Sequence, residues 1–135
     1  MNKELSEKNQ YYLEKHRYLE LQHFCLQYPI WNQMYNSISA MATRPIDKIG
    51  FDAPTGRSPT QRCADALIFL KKRMELVIDT AEEAAGKELK DYIIQSVITG
   101  QSYDQIRAFM GVPCCRDTFY KLRRKFFYIL NKNRQ

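Results

Sequence analysis

The last third of the sequence is divided into helix-length segments by Gly86, Gly100 and Gly111, with Pro113 shortly after the third glycine. Glycine readily adopts the left-handed conformation in which many helices end, and proline does not continue a helix. The spacing predicts three consecutive helices, over residues 87–99, over residues 102–110 and from residues 114–116 onward.

Two helix starts can be predicted from capping side chains. Ser102 and Gln105 form the S-x-x-Q pattern of a capping box, in which each side chain bonds a free backbone amide of the first turn. Ser58 followed by Pro59 places a capping hydroxyl before a proline in the first turn, where the missing amide proton is tolerated. A long helix is expected from there to Ala85.

Apolar residues recur at alternating spacings of three and four in two segments, which is typical of packed helices. The first series is Leu21, Phe24, Tyr28, Trp31, Tyr35 and Ile38. The second is Cys63, Leu67, Leu70, Met74, Val77 and Ala81. The two helices could meet within one chain as a hairpin or between chains as a dimer. A helix is also expected from Lys3 to about Met41, with a kink or break near Pro29.

These patterns predict an all-α protein, with long helices packed as a hairpin or bundle plus a C-terminal helix-turn-helix. Residues 42–60 contain three prolines and two glycines and are expected to be a linker. The predicted divisions are an N-terminal helical segment (1–41), the linker (42–60), a long central helix (61–86) and a helix-turn-helix module (87–135).

Several classes of protein are not favoured by the sequence. It has no apolar run of about eighteen residues and no export signal, so we expect a cytoplasmic protein that does not enter a membrane. The four cysteines are expected to be reduced, because nothing indicates an oxidising compartment. No spacing of cysteines and histidines fits zinc, and no catalytic constellation is present. We therefore expect no cofactor and no enzymatic activity.

The positive charge of the chain is concentrated at its C-terminus. Residues 115–135 contain seven basic residues and one acid, whereas residues 1–114 contain fourteen of each sign. A helix beginning near Arg116 would carry Phe119, Leu122, Phe126 and Ile129 on one side and basic residues elsewhere. Such an uneven distribution indicates a polyanionic partner, and double-stranded DNA is the leading candidate.

The helix that enters the major groove of DNA meets the base edges with its first turns. Arg116 can form two hydrogen bonds to guanine, and Asp117 can accept one from cytosine. Residues further along contact phosphates, which supply affinity without sequence information. The predicted DNA-binding residues are Arg116, Asp117, Thr118, Tyr120, Lys121, Arg123, Arg124 and Lys125.

Three stretches resemble the fourth region of bacterial sigma factors: GQSYDQI at 100–106, GVP at 111–113 and RDTFYKLRRKF at 116–126. Together with the preceding capped helix, they resemble the phage-encoded late transcription regulators of the ArpU and RinA type. The resemblance of the C-terminal module covers about residues 87–130, and that of the general layout covers about residues 58–130. It implies activation of late phage or prophage genes through promoter DNA, with contact to RNA polymerase.

Matched residue by residue, this resemblance makes Ile106 and Phe119 core positions and Gly111 the turn glycine. It also places Arg116, Thr118 and Lys121 on the DNA-facing side. The chain departs from the pattern after Ile106, where a small residue is usual and Arg107 stands instead. The turn is also one residue longer, because it contains both Cys114 and Cys115.

Two other functions are compatible with the same features. One is the small DNA-packaging subunit of a phage terminase, which would assemble as a ring. The other is a helical protein-interaction scaffold with a basic tail that binds an acidic partner. A homo-oligomer, such as a dimer, is expected from the two heptad series.

Overall fold

The computed structural model describes residues 8–42 and 58–134, and all regular secondary structure in these ranges is helical. The all-α prediction is therefore confirmed. The helices, in chain order, are α1 (Lys15–Leu26), α2 (Tyr28–Ala42), α3 (Pro59–Thr99), α4 (Tyr103–Met110) and α5 (Arg116–Asn133). Most of the predicted linker, with Arg44, Lys48 and Arg57, lies outside the described residues.

The helix boundaries in the C-terminal part follow the glycines. Gly86 has φ 77° and ψ 170°, so it interrupts α3 and separates residues 59–85 from residues 87–99. Gly111 ends α4 with φ 71°, and its amide donates to the carbonyl of Arg107 at 3.0 Å. Both conformations are readily available only to glycine. The three predicted helices are thus present at the expected positions.

The predicted caps are also confirmed. The Ser102 hydroxyl accepts a hydrogen bond from the Gln105 amide at 3.3 Å, and the Gln105 side chain accepts one from the Ser102 amide at 2.9 Å. At the start of α3, the Ser58 hydroxyl accepts a hydrogen bond from the Gln61 amide at 3.1 Å. Local polar side chains therefore define both helix starts.

The N-terminal helix prediction was right about the break and wrong about the start. The chain breaks at Gln27, between α1 and α2, and Pro29 follows in the first turn of α2. However, residues 8–14 are not helical. Asn9 captures the amide of Tyr11 with its side chain at 2.9 Å, which stabilises a turn in place of a helix. Residues 3–7 of the predicted helix lie outside the described residues.

The helices pack as two compact units. One unit comprises the residues up to Tyr28 and those from Leu76 onward, and the other is Pro29–Glu75. In the first unit, α5 contributes four buried residues, Phe119, Phe126, Phe127 and Leu130. The buried hydrophobic residues from the other helices of this unit are Leu21, Phe24, Cys25, Val77, Ala81, Ala84, Ile93, Val97, Tyr103 and Ile106, and the polar residues Thr80 and Ser96 are buried as well.

The second unit, residues 29–75, contains α2 and the first part of α3. Its buried residues are Trp31, Leu70 and Met74, all of which belong to the predicted heptad series. The Arg73 guanidinium lies over the Trp31 ring at 5.5 Å and over the Phe69 ring at 4.4 Å. The two heptad series therefore lie on packed helix faces, as expected.

Contacts with α1 fix α5 in the first unit. The Tyr18 ring packs edge-on against Phe127 at 5.2 Å. The Arg134 guanidinium lies 4.2 Å from the Phe24 ring centre and pairs with Glu20 at 2.9 Å. The N-terminal helix is thus an integral part of the unit that carries the basic helix.

Candidate nucleic-acid interface

The start of α5 is positioned by Tyr103, a buried residue that the sequence analysis did not single out. Its ring packs against Phe119 with ring centres 5.4 Å apart. Its hydroxyl donates to the carbonyl of Cys114, and its amide donates to the Tyr120 hydroxyl at 3.1 Å. Its spacing of three residues from the buried Ile106 is the sequence signal that could have identified it.

Arg116 occupies the first position of α5 and is exposed. Its Nη2 donates to both carboxylate oxygens of Asp104, at 2.6 and 2.8 Å. The guanidinium also lies 5.9 Å from the centre of the Tyr103 ring. This ion pair joins the first turn of α4 to the first turn of α5.

Five of the predicted residues form one solvent-facing side of α5, which we call the outward basic face. Asp117, Lys121 and Arg124 recur at helical spacing, and Thr118 and Lys125 lie beside them. Asp117, Thr118 and Lys121 are exposed, and Arg124 and Lys125 are half-buried. Within residues 8–42 and 58–134, the cations of this face form no ion pair or hydrogen bond with another side chain. Their charges are therefore available to a ligand.

The other two predicted residues, Tyr120 and Arg123, use their polar groups inside the fold. The Tyr120 hydroxyl accepts the hydrogen bond from Tyr103. Arg123 donates from Nε to the Ser96 hydroxyl at 3.1 Å and from Nη1 to the Tyr18 hydroxyl at 3.0 Å. We therefore leave both residues out of the candidate surface, although their DNA contacts stay predictions.

The second half of α5 carries less open surface. The ring centres of Tyr11 and Tyr128 lie 5.8 Å apart, and Lys132 lies over the Tyr128 ring at 4.4 Å. The neighbouring residues Phe126 and Phe127 are fully buried. The outward basic face ends near Lys125.

Arg107 adds a cation that the sequence analysis noted only as a departure from the sigma-factor pattern. It lines a shallow depression together with Arg116 and the turn residues 112–115. Arg107 is exposed and forms no ion pair with any residue that the structure describes. Two guanidinium groups thus flank the N-terminal end of α5, where the helix dipole favours anions.

The cysteines differ in their surroundings, and all four have free thiols. Cys115 is the exposed N-cap residue of α5, and its pKa is lowered chiefly by the hydrogen bond between its sulfur and the Thr118 hydroxyl, at 3.2 Å. Burial raises the pKa of Cys114, and it raises the pKa of Cys25 to about 12. Cys115 is thus the thiol whose surroundings favour the thiolate.

The residues that the structure describes contain no group of three or more histidine, cysteine or acidic side chains placed to hold a metal ion. None of their helices combines the length and apolar character that crossing a membrane requires.

Comparison with known proteins adds no relative. No family model, curated protein or solved structure matches this chain.

Proposed function

We propose that this protein is a sequence-specific DNA-binding transcriptional regulator that acts through the outward basic face of α5. The observation that carries the proposal is a set of three cations, Lys121, Arg124 and Lys125, on one side of a helix whose other side is core. None of the three has a partner side chain among the residues that the structure describes. An α-helix of about 10–12 Å diameter fits the major groove of duplex DNA.

The proposed contacts follow from position along α5. Arg116, in the first turn, would donate to guanine, and Lys121, five residues further along the helix, would reach the same groove. Arg124 and Lys125 would neutralise phosphates, as would Arg107 at the edge of α4. In this proposal, residues 87–99, α4 and α5 are the three helices of a helix-turn-helix module, with α5 as its recognition helix.

The biological role that we propose is the regulation of late phage or prophage genes, with contact to RNA polymerase. It rests on the resemblance of residues 100–106, 111–113 and 116–126 to sigma-factor and late-regulator sequences. The Tyr103 and Ile106 side chains of the first stretch are buried, and the Tyr103 ring packs against Phe119 of α5, which is compatible with that resemblance.

We also propose that the protein acts as a homo-oligomer through the 29–75 unit. Helix α2 contains no charged residue. Ile30, Met34 and Met41 recur along one stripe of this helix and are 56%, 47% and 48% exposed. An uncharged helix with an apolar outer stripe is typical of a protein interface. Light scattering should give the mass of a dimer, whereas a ring of many subunits would favour the DNA-packaging function.

The DNA proposal is tested by binding a labelled duplex of random sequence over a series of salt concentrations. The triple variant Lys121→Ala, Arg124→Ala, Lys125→Ala should flatten the logarithmic salt dependence by about two to three units, since each phosphate contact contributes roughly 0.9. A matched variant, Arg62→Ala, Lys72→Ala, Lys87→Ala, removes the same charge from exposed positions elsewhere. Equal losses in the two variants would contradict the proposal.

A further inference from the structure

The ion pair between Asp104 and Arg116 involves only one of the three nitrogen atoms of the guanidinium. Both short contacts, at 2.6 and 2.8 Å, come from Nη2. Neither Nε nor Nη1 of Arg116 donates to an acceptor within the described residues. Reading guanine requires two parallel N–H donors, for O6 and N7. Nη2 carries a second N–H, which can form such a pair with Nη1 or Nε while the first is held by the carboxylate.

The same pair is poorly suited to a role in stability. The Asp104 and Arg116 side chains are 66% and 55% exposed. Exposed ion pairs contribute little to folding, because water screens them and both long side chains lose freedom. The pair lies at the first turns of α4 and α5. At this position, a loss of side-chain freedom in Arg116 would affect the recognition of DNA bases.

We infer that Asp104 is a positioning residue that orients Arg116 for base recognition, an inference that rests on the proposed function. The carboxylate fixes one end of the guanidinium before DNA arrives, so less side-chain freedom is lost on binding. The Asp104 carboxylate is negatively charged and repels the DNA phosphates, so it lowers the affinity for every duplex. Its removal therefore has two opposite effects, higher affinity for all sequences and poorer discrimination among them.

The experiment compares the affinities of the full chain for its best duplex, selected from a random library, and for scrambled duplexes. Asp104→Asn should raise the affinity for the scrambled duplexes. It should lower the ratio of the affinity for the best duplex to the affinity for the scrambled duplexes by about tenfold. Asp104→Glu, which keeps a carboxylate, should retain most of the ratio. Asp91→Asn removes a charge from an exposed position of the same unit and should leave the ratio unchanged.

A double-mutant cycle separates positioning from a general structural effect. If Asp104 acts through Arg116, then Asp104→Asn has no further effect on the ratio once Arg116→Ala is present. A loss of discrimination that adds fully to that of Arg116→Ala would overturn the inference. So would an unchanged ratio in Asp104→Asn, and in that case the proposed function would stand.

Two outcomes of the unsubstituted protein are also decisive. If it binds duplexes without any preference, the inference is overturned together with the sequence-specific part of the proposed function, because there is no discrimination for Asp104 to support. If it binds no duplex at all, the proposed function is overturned and the inference with it.

Discussion

The two halves of α5 differ both in charge and in contacts, since residues 116–125 contain five basic residues and one acid, whereas the only charged residue in 126–133 is Lys132. Residues 116–125 present the outward basic face, whose cations have no partner side chain within residues 8–42 and 58–134. Residues 126–133 contribute Phe126, Phe127 and Leu130 to the core. One helix therefore serves as a surface at its start and as a structural element at its end.

Neighbouring arginines show what decides between the two roles. Arg123 lies on the inner side of α5 and donates to Ser96 and Tyr18. Arg124, about 100° around the helix, has no partner side chain in the part of the chain that the structure describes. Composition does not distinguish these residues, since both lie in the same basic run. What distinguishes them is the helix face, which is fixed by the phase of the buried residues.

The largest effect is expected from the core half. Phe127→Ala removes a fully buried ring that packs against Tyr18 and Phe126. It should lower the free energy of unfolding by about 3–5 kcal/mol, as measured by urea denaturation. Lys121→Ala, on the outward basic face, should change it by less than about 0.5 kcal/mol. Similar losses in both variants would remove the distinction between the halves.

Next in size is the contrast between adjacent arginines. Arg123→Ala leaves the Ser96 and Tyr18 hydroxyls without their donor and should lower the free energy of unfolding by about 1–3 kcal/mol. Arg124→Ala should leave stability nearly unchanged. Thermal and urea unfolding of both variants provide the test. Greater destabilisation by Arg124→Ala would mean that the inner and outer sides of α5 have been assigned wrongly.

The proposed DNA contacts, which are Arg116 and the cations of the outward basic face, should divide into residues that read bases and residues that bind phosphates. Arg116→Ala and Lys121→Ala should lower discrimination between DNA sites by about 1–3 kcal/mol. Arg124→Ala should weaken binding to all duplexes and reduce the salt slope by about one unit. Affinity titrations with selected and scrambled duplexes measure both quantities. Uniform effects of all three substitutions would contradict the assignment of reading residues.

The smallest effect concerns thiol chemistry. Because the pKa of Cys115 is lowered, its reactive thiolate is populated at lower pH than that of an ordinary cysteine. Iodoacetamide should therefore label Cys115 first as the pH is raised from 6 to 8. Cys25 is buried and has a pKa of about 12, so it should resist labelling until the protein unfolds. Peptide mass spectrometry gives the order, and labelling of Cys25 before Cys115 would be contradictory.

The sequence predicted those parts of the fold that depend on neighbouring residues. The glycine boundaries and the Ser102 capping box involve interactions within four positions, so their patterns could be read directly. The start of α1 was misplaced, because the Asn9 turn competes with a helix that composition favours. Short-range sequence patterns therefore predicted a helix boundary correctly where no other short-range hydrogen bond competed with the helix.

The candidate site was only partly predictable. The basic residues of α5 could be listed. Sequence spacing did not show, however, that Arg123 donates a hydrogen bond to Tyr18, which lies in α1 and is far away in the sequence. The same holds for the contact between Asp104 and Arg116, which are twelve positions apart. Such contacts depend on how helices pack, and a single sequence does not reveal them.

The central claim is that the outward basic face of α5 reads duplex DNA. The most direct test is selection of bound duplexes from a random library by the purified full chain, in parallel with the Arg116→Ala, Lys121→Ala double variant. The account predicts an enriched motif that the double variant fails to enrich while it still binds DNA in a salt-dependent manner. Enrichment of the same motif by both proteins, or no duplex binding by either, would contradict it.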